Sequence, residues 1–219
     1  MDFSDTATLV EAIARKDMAT AAHTWRVALY ARAMAERAGL EREVVERLPR
    51  AAALHDVGKL TVPDEVLQKP GPLTPAERSL MQRHAADGHA MLLAAGETDP
   101  LVLELVRHHH ERHDGTGYPD RLAGDAIPLA ARYFAVIDAF DAMTSVRPYR
   151  MDVGPEAAAR ALRELRDHRN EWYCAASVDA LASLVEGGTV AWITAYHNET
   201  CPIVLPGVAR AHRPSAGAR

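Results

Sequence analysis

Two stretches of this chain concentrate residue types that hold metal ions. One is His55-Asp56-Val57-Gly58-Lys59; the other is His109-His110-Glu111-Arg112-His113-Asp114, which runs into Gly115-Thr116-Gly117-Tyr118-Pro119. Imidazole and carboxylate ligands without sulfur suit iron, manganese or zinc better than calcium. Adjacent residues on a helix diverge by only about 100°, so a metal seated between them is within reach of both. His23, His84 and Asp138 stand on helical segments of their own. Taken singly, His23 or His84 on an apolar stripe reads more readily as a core histidine, and Asp138 as a carboxylate of the helix surface or of a core network. The ordered set, with both longer strings intact, is what points to metal binding. Gly115 and Gly117 let the backbone turn sharply or come close to a ligand, so a loop able to admit a bulky molecule follows the histidines.

The elements that must position these residues are mostly helical. Residues from about 17 to 38 place His23, Val27, Tyr30 and Met34 on one inward stripe. A second helix, from Glu41 to Leu54, delivers His55 and Asp56 near its end. Val62 to Leu73, rich in proline and glycine, reads as a loop with one short turn. Thr74-Pro75-Ala76-Glu77 combines a capping box with proline at the first helical position, and that helix should carry His84 and continue to Ala95. Asp99-Pro100 opens the next, which ends in the histidine cluster. Pro128 to Ser145 carries Asp138 and Asp141, and Gly154-Pro155-Glu156 starts a helix ending around Arg166. Ser177 to Val185 reads as one more short helix. Thr189 to His197 alternates loosely and reads as a strand, paired with Pro202 to Leu205. The expectation is an all-α helical bundle over residues 17–165, a lead-in over 1–16, and an extension over 166–219 with a short β element.

Composition narrows the function classes. A chain of 219 residues fits one domain with a modest appendage. No apolar run reaches the roughly 18 residues of a membrane span, and the N-terminal stretch lacks the basic leader of a secretory signal, so a cytoplasmic location is expected. Cys174 and Cys201 form no CxxC pair, which disfavours a disulfide framework or a thiolate zinc site. A formal net charge of -5 argues against polymeric nucleic acid as a partner. A small anionic ligand remains compatible, because a metal centre and a few local cations outweigh the global sign. The alanine-rich helical surface is compatible with a homodimer.

The two strings, together with Val62-Pro63-Asp64, Lys69-Pro70-Gly71-Pro72-Leu73-Thr74 and Arg147-Pro148-Tyr149-Arg150, resemble the signatures of the HD-GYP family over roughly residues 17 to 165. Members of that family are metal-dependent phosphodiesterases that cleave cyclic di-GMP. The resemblance implies an HD-domain bundle holding two divalent ions, iron first and manganese as the alternative. Asp56 would bridge them; His23, His55 and Asp138 would complete one side, and His84, His109 and His110 the other. Two ions about 3.5–4 Å apart can hold a bridging hydroxide and clamp phosphate oxygens. Attack on phosphorus would give pGpG, with GMP as a further product. Asp56 and Lys59 take the catalytic roles, Lys59 at the transition state or the leaving oxygen. Arg147, whose planar fork matches phosphate oxygens, together with Arg150, Gly115, Tyr118 and Lys59, is implied in substrate binding. Lys69 is a weaker candidate. The GYP loop is implied as a contact for a diguanylate cyclase domain, with Glu111 and Asp114 as its supports. His108 falls outside the motif positions. One departure stands out: the glutamate that many members place one turn before the first histidine is Ala19 here. Alanine cannot ligate, so a dinuclear site is predicted. A metal-holding protein that binds the dinucleotide or a cyclase domain without turnover is the alternative.

Overall fold

The computed structural model describes residues 6–16, 18–145 and 155–195. Among them run α1 (Thr6–Lys16), α2 (Met18–Arg37), α3 (Arg42–Leu54), a 3₁₀ turn (Val57–Thr61), α4 (Asp64–Leu67), α5 (Pro75–Gln82), α6 (His84–Ala94) and α7 (Pro100–His108). A second 3₁₀ turn (Gly124–Ala126) precedes α8 (Leu129–Thr144), α9 (Pro155–Asp167), α10 (Ala175–Glu186) and α11 (Ala191–Ala195). The described residues contain no strand, only isolated bridges such as that between Asp114 and Ala123. The fold is an all-α bundle.

Helix α2 is the central post: α3 and α8 pack along it, α7 lies behind α3, and α6 lies over the first 3₁₀ turn and α7. The predicted stripe faces the core, with Val27, Tyr30 and Met34 fully buried and His23 nearly so. Tyr30 meets Phe140 of α8 edge to face, ring centroids 5.7 Å apart. This is a favourable aromatic geometry that locks α2 to the helix bearing Asp138. Leu9 and Ile13 of α1 belong to the same core, and so do Leu162 and Leu165 of α9 and Val178 and Leu181 of α10.

Two expectations need correction. The helix predicted from Thr74 to Ala95 is broken at Arg83 into α5 and α6. The capping box at Thr74 and Glu77 forms as predicted, but at the break the Met81 carbonyl accepts a hydrogen bond from His84 Nδ1 at 2.7 Å. The strand expected from Thr189 is instead a turn followed by α11, which seats Val190 and Ile193 in the core. Those two buried positions three residues apart fit a helical turn better than a strand. Residues 196–205 of that proposed hairpin lie outside the described residues. No helix among the described residues is long and apolar enough to cross a membrane.

Candidate metal centre

Every candidate ligand is delivered at a place where a helix begins, ends or is pinned to a neighbour. Helix α3 stops at Leu54; His55 is its cap, and Asp56 (φ -96, ψ 10) opens the tighter 3₁₀ turn that swings Lys59 over the same spot. His84 is the first residue of α6, and His109 caps α7 with His110 just beyond. His23 comes from α2 and Asp138 from α8.

These seven residues converge into overlapping triads. His23, His55 and Asp138 form one, His84, His109 and His110 a second, and His55, Asp56 and His109 a third between them; in each, one ligand atom per residue lies within 4.8 Å of the others. Asp56 spans the middle. Its Oδ2 is 3.1 Å from His55 Nε2 and its Oδ1 is 3.4 Å from His84 Nε2. The Lys59 ammonium donates to the same Oδ2 at 2.6 Å.

The hydrogen bonds behind the rings decide which nitrogens face inward. Nδ1 donates to Ala52 O in His55 (2.7 Å), to Met81 O in His84 (2.7 Å) and to Val106 O in His109 (2.8 Å). With the proton fixed on Nδ1, Nε2 presents a lone pair. The Nε2 atoms of His84 and His109 face each other at 3.2 Å in a buried place. Two acceptors so close have no hydrogen to share, and a divalent cation is the partner that satisfies both. A ligand histidine tied back to an oxygen through its other nitrogen is the usual arrangement around such ions. The donor set therefore fits a metal centre.

Electrostatics agree. Burial and the neighbouring rings hold His84, His109 and His110 in the neutral form; for His110, burial and then His84 push the pKa down to about 3. Burial opposes ionisation of Asp56, yet His55, Lys59 and His84 outweigh it and keep its carboxyl well below the usual range. His23 behaves the opposite way. Burial disfavours its charge, but Asp138 and Asp141 prevail and raise its pKa to about 9. Positive charge is thus stabilised at the inward edge of His23, where Nε2 lies 3.3 Å from His55 Nε2 and 3.2 Å from Asp138. Phe134 closes the floor, its ring 4.8 Å from His55 and 6.2 Å from His109, which keeps water from that side.

Some functional residues carry no motif letter. Asp141 is 1% exposed and ties His23 Nδ1 (2.8 Å) to the guanidinium of Arg26, which reaches both carboxylate oxygens at 2.7 and 2.9 Å. The legible signal was spacing: His23 and Arg26, like Asp138 and Asp141, sit three apart on one helix face. Gly58 and Gly88 let the 3₁₀ turn touch α6 backbone to backbone; a Cβ on Gly58 would lie 1.9 Å from His84 O and 2.5 Å from Gly88 N.

The loop after the histidines folds back on them. Gly115 is left-handed (φ +80), and a Cβ on Gly117 would fall 2.3 Å from Arg112 N. Glu111, 3% exposed, accepts from the backbone N–H groups of Asp120 (2.7 Å) and Leu122 (3.1 Å), so it anchors the loop as predicted. Asp114 accepts from Thr116 within the turn. The Tyr118 ring lies 4.8 Å from that of His110, and burial first, then Asp138 and Asp56, raise its phenol so that it stays a donor. Beyond the loop, Trp172 O and Glu171 O accept from His113 N and Asp114 N, with Arg112 over the Trp172 ring at 4.2 Å. His108 turns away to Asp120 at 3.0 Å, as its exclusion anticipated. Lys69 pairs with Glu77 at 2.6 Å, where it buttresses the start of α5. Arg147 and Arg150 lie outside the described residues, as does Asp17; Ala19 lies on α2.

A family model described as an HD domain matches residues 7–175. The chain belongs to the HD domain family, in its HD-GYP branch. It is 43% identical over 174 residues to the cyclic di-GMP phosphodiesterase response regulator RpfG of Xanthomonas campestris, an alignment covering 79% of this chain and 45% of that protein. It is 40% identical over 174 residues to the cyclic di-GMP phosphodiesterase PA4108 of Pseudomonas aeruginosa, covering 80% of this chain and 42% of that one. The chain thus spans less than half the length of these relatives. Among solved structures, a cyclic GMP-AMP-specific phosphodiesterase of Vibrio cholerae superposes with a TM-score of 0.62 at 17% identity, over 84% of this chain and 49% of that one. That last likeness speaks to the fold alone.

Proposed function

We propose that this chain is a divalent-metal-dependent phosphodiesterase that hydrolyses cyclic di-GMP to pGpG and, in part, on to GMP. The observation that carries the reading is Asp56, whose two oxygens face one histidine of each outer triad. His23, His55 and Asp138 would hold one ion and His84, His109 and His110 the other, with Asp56 shared. The neutral imidazoles and carboxylates suit iron, with manganese as the alternative. Bound there, such ions would neutralise phosphate oxygens and lower the pKa of a water molecule.

The chain's own residues supply the rest. The ammonium of Lys59, held at Asp56 Oδ2, is positioned to donate to a phosphate oxygen or to the leaving 3′-oxygen. Tyr118 keeps its proton and offers a donor and an aromatic face at the rim. The Glu111-anchored loop presents Gly115 and Tyr118 as a fixed edge for a dinucleotide. Arg147 and Arg150 enter as phosphate contacts on their sequence motif. Residues 17–165 form the catalytic unit, with 1–16 as lead-in and 166–219 as extension. The GYP loop is the contact for a diguanylate cyclase domain, and the working form is a cytoplasmic protein able to pair as a homodimer. The relatives named for cyclic di-GMP hydrolysis support the substrate.

The test is anaerobic turnover of cyclic di-GMP by protein loaded with Fe(II) or Mn(II), products resolved by chromatography, beside an Asp56→Ala variant. Conversion to pGpG by the wild type only is expected. Equal conversion by Asp56→Ala, or none by wild-type protein holding two ions, would overturn the reading.

A further inference from the structure

A pocket of about 640 Å³ opens beside the metal centre, a volume typical of small-molecule sites. One wall is the junction of α5 and α6, with Gln82 and Arg83 at the break; the other is the GYP loop with Arg121. Tyr118 belongs to this wall and also stands against His110 (4.8 Å) and His84 (6.5 Å), so it partitions the pocket from the ligand triad.

The lining is cationic in an acidic chain. Arg83 and Arg121 are its only charged members, and no carboxylate lines it. Arg83 has one loose ion contact, to Asp87 at 3.7 Å, and its side chain is 67% exposed. Arg121 has no ion pair among the described residues. It also holds a left-handed backbone (φ 56), which side chains other than glycine adopt at a cost. A strained, unpaired cation at the mouth of a pocket is a group held ready for an anion.

We propose that this pocket is the subsite for the second, uncleaved half of the substrate, with Arg83 and Arg121 taking its phosphate; the inference rests on the phosphodiesterase reading. A cyclic dinucleotide carries two phosphodiesters on opposite sides of one ring. With one at the His84–His110 side of Tyr118, the other half falls on the far side, among the arginines. The Gln82 amide offers both a donor and an acceptor to a purine edge. Arg83 and Arg121 would then set the preference for a dinucleotide over a single phosphodiester.

The probe is a cleavage-resistant bis-phosphorothioate analogue of cyclic di-GMP, its binding measured calorimetrically on Mn(II)-loaded protein. Arg83→Ala and Arg121→Gly should each weaken binding about tenfold, the scale of one charge-assisted contact on an exposed cation. Arg121→Gly relieves the left-handed strain, so its melting temperature should not fall, and Arg121→Lys should recover part of the affinity. Wild-type affinity in both arginine variants, or no binding to the wild type, would overturn the subsite. Turnover of cyclic di-GMP itself by the Fe(II)- or Mn(II)-loaded wild type is followed in parallel. Unchanged binding in the variants with that turnover intact removes the subsite alone. No turnover by the wild type removes the phosphodiesterase reading, and the subsite's substrate role with it.

Discussion

Replacing Gly58 by alanine should damage the metal centre without touching a ligand. The added Cβ would sit 1.9 Å from His84 O, 2.5 Å from Gly88 N and 2.8 Å from His84 C. All three are backbone atoms, so no side chain can swing aside. Restoring even a 3.0 Å contact requires the 3₁₀ turn and α6 to part by about 1 Å, an overpacking that costs about 3 kcal/mol. For a chain of this size that loss lowers the melting temperature by about 6–12 °C. The displacement acts on the segment carrying Asp56 and Lys59 and on the helix beginning at His84, so it widens the 3.4 Å approach of Asp56 to His84. A misplacement of about 1 Å in a reacting constellation costs on the order of a hundredfold in rate. Gly39→Ala is the control: unlike Gly58 it is left-handed (φ +65), and its Cβ meets open space. The control should lose only about 1 kcal/mol, through backbone strain, with metal content unchanged. Thermal melts, metal analysis and turnover on both variants provide the readout. If Gly58→Ala held a full metal complement and matched Gly39→Ala in both melting and rate, the argument that backbone contact positions Asp56 against His84 would be wrong.

Other consequences are independent of that contact. Asp141→Asn leaves Arg26 buried without its carboxylate and His23 without its anchor, so a loss of about 3–5 kcal/mol is expected in urea denaturation, with weakened metal retention. Gly117→Ala would force a Cβ within 2.3 Å of Arg112 N and 2.6 Å of His110 O and lift the loop; KM should rise several-fold, read by kinetics beside metal analysis. In chelator-treated protein, His84, His109 and His110 are held neutral below their unfolded pKa. The unfolded chain therefore binds more protons as pH drops through about 6.5, and stability should fall from about pH 7 to about pH 5 by about 1 kcal/mol or more per unit. His23 works elsewhere: its pKa of about 9 stabilises the folded chain below about pH 6.5, and that contribution is lost as pH rises through 9. Stability that is flat or rising on acidification would contradict the burial of three neutral imidazoles.

What the sequence made legible was set by local chemistry. The helical stripe of α2, the capping box at Thr74 and the order of the histidines were readable because each depends on residues a few positions apart. The meeting of His23 with Asp138, or of Asp56 with His84, depends on tertiary packing that spacing does not encode; the family resemblance supplied that expectation. The break at Arg83 escaped because nothing in Arg-His-Ala opposes a helix; the hydrogen bond from His84 to Met81 is made only in the folded chain. Near Trp192 the alternation was misread because buried Val190 and Ile193 face the core from a helical turn. Asp141 stands in the sequence without a role and Arg26 without notice, because a buried ion pair between helices leaves only paired three-residue spacings as its trace.

Two ions held side by side with Asp56 between them are the centre of the proposed mechanism. The most direct test is stepwise Mn(II) loading of metal-stripped protein, followed by metal counting and electron paramagnetic resonance, on the wild type and Asp56→Ala. Two equivalents bound with an exchange-coupled signal in the wild type, lost in Asp56→Ala, is the predicted result. A single equivalent, or two uncoupled ions whose signal ignores the Asp56 substitution, would contradict it.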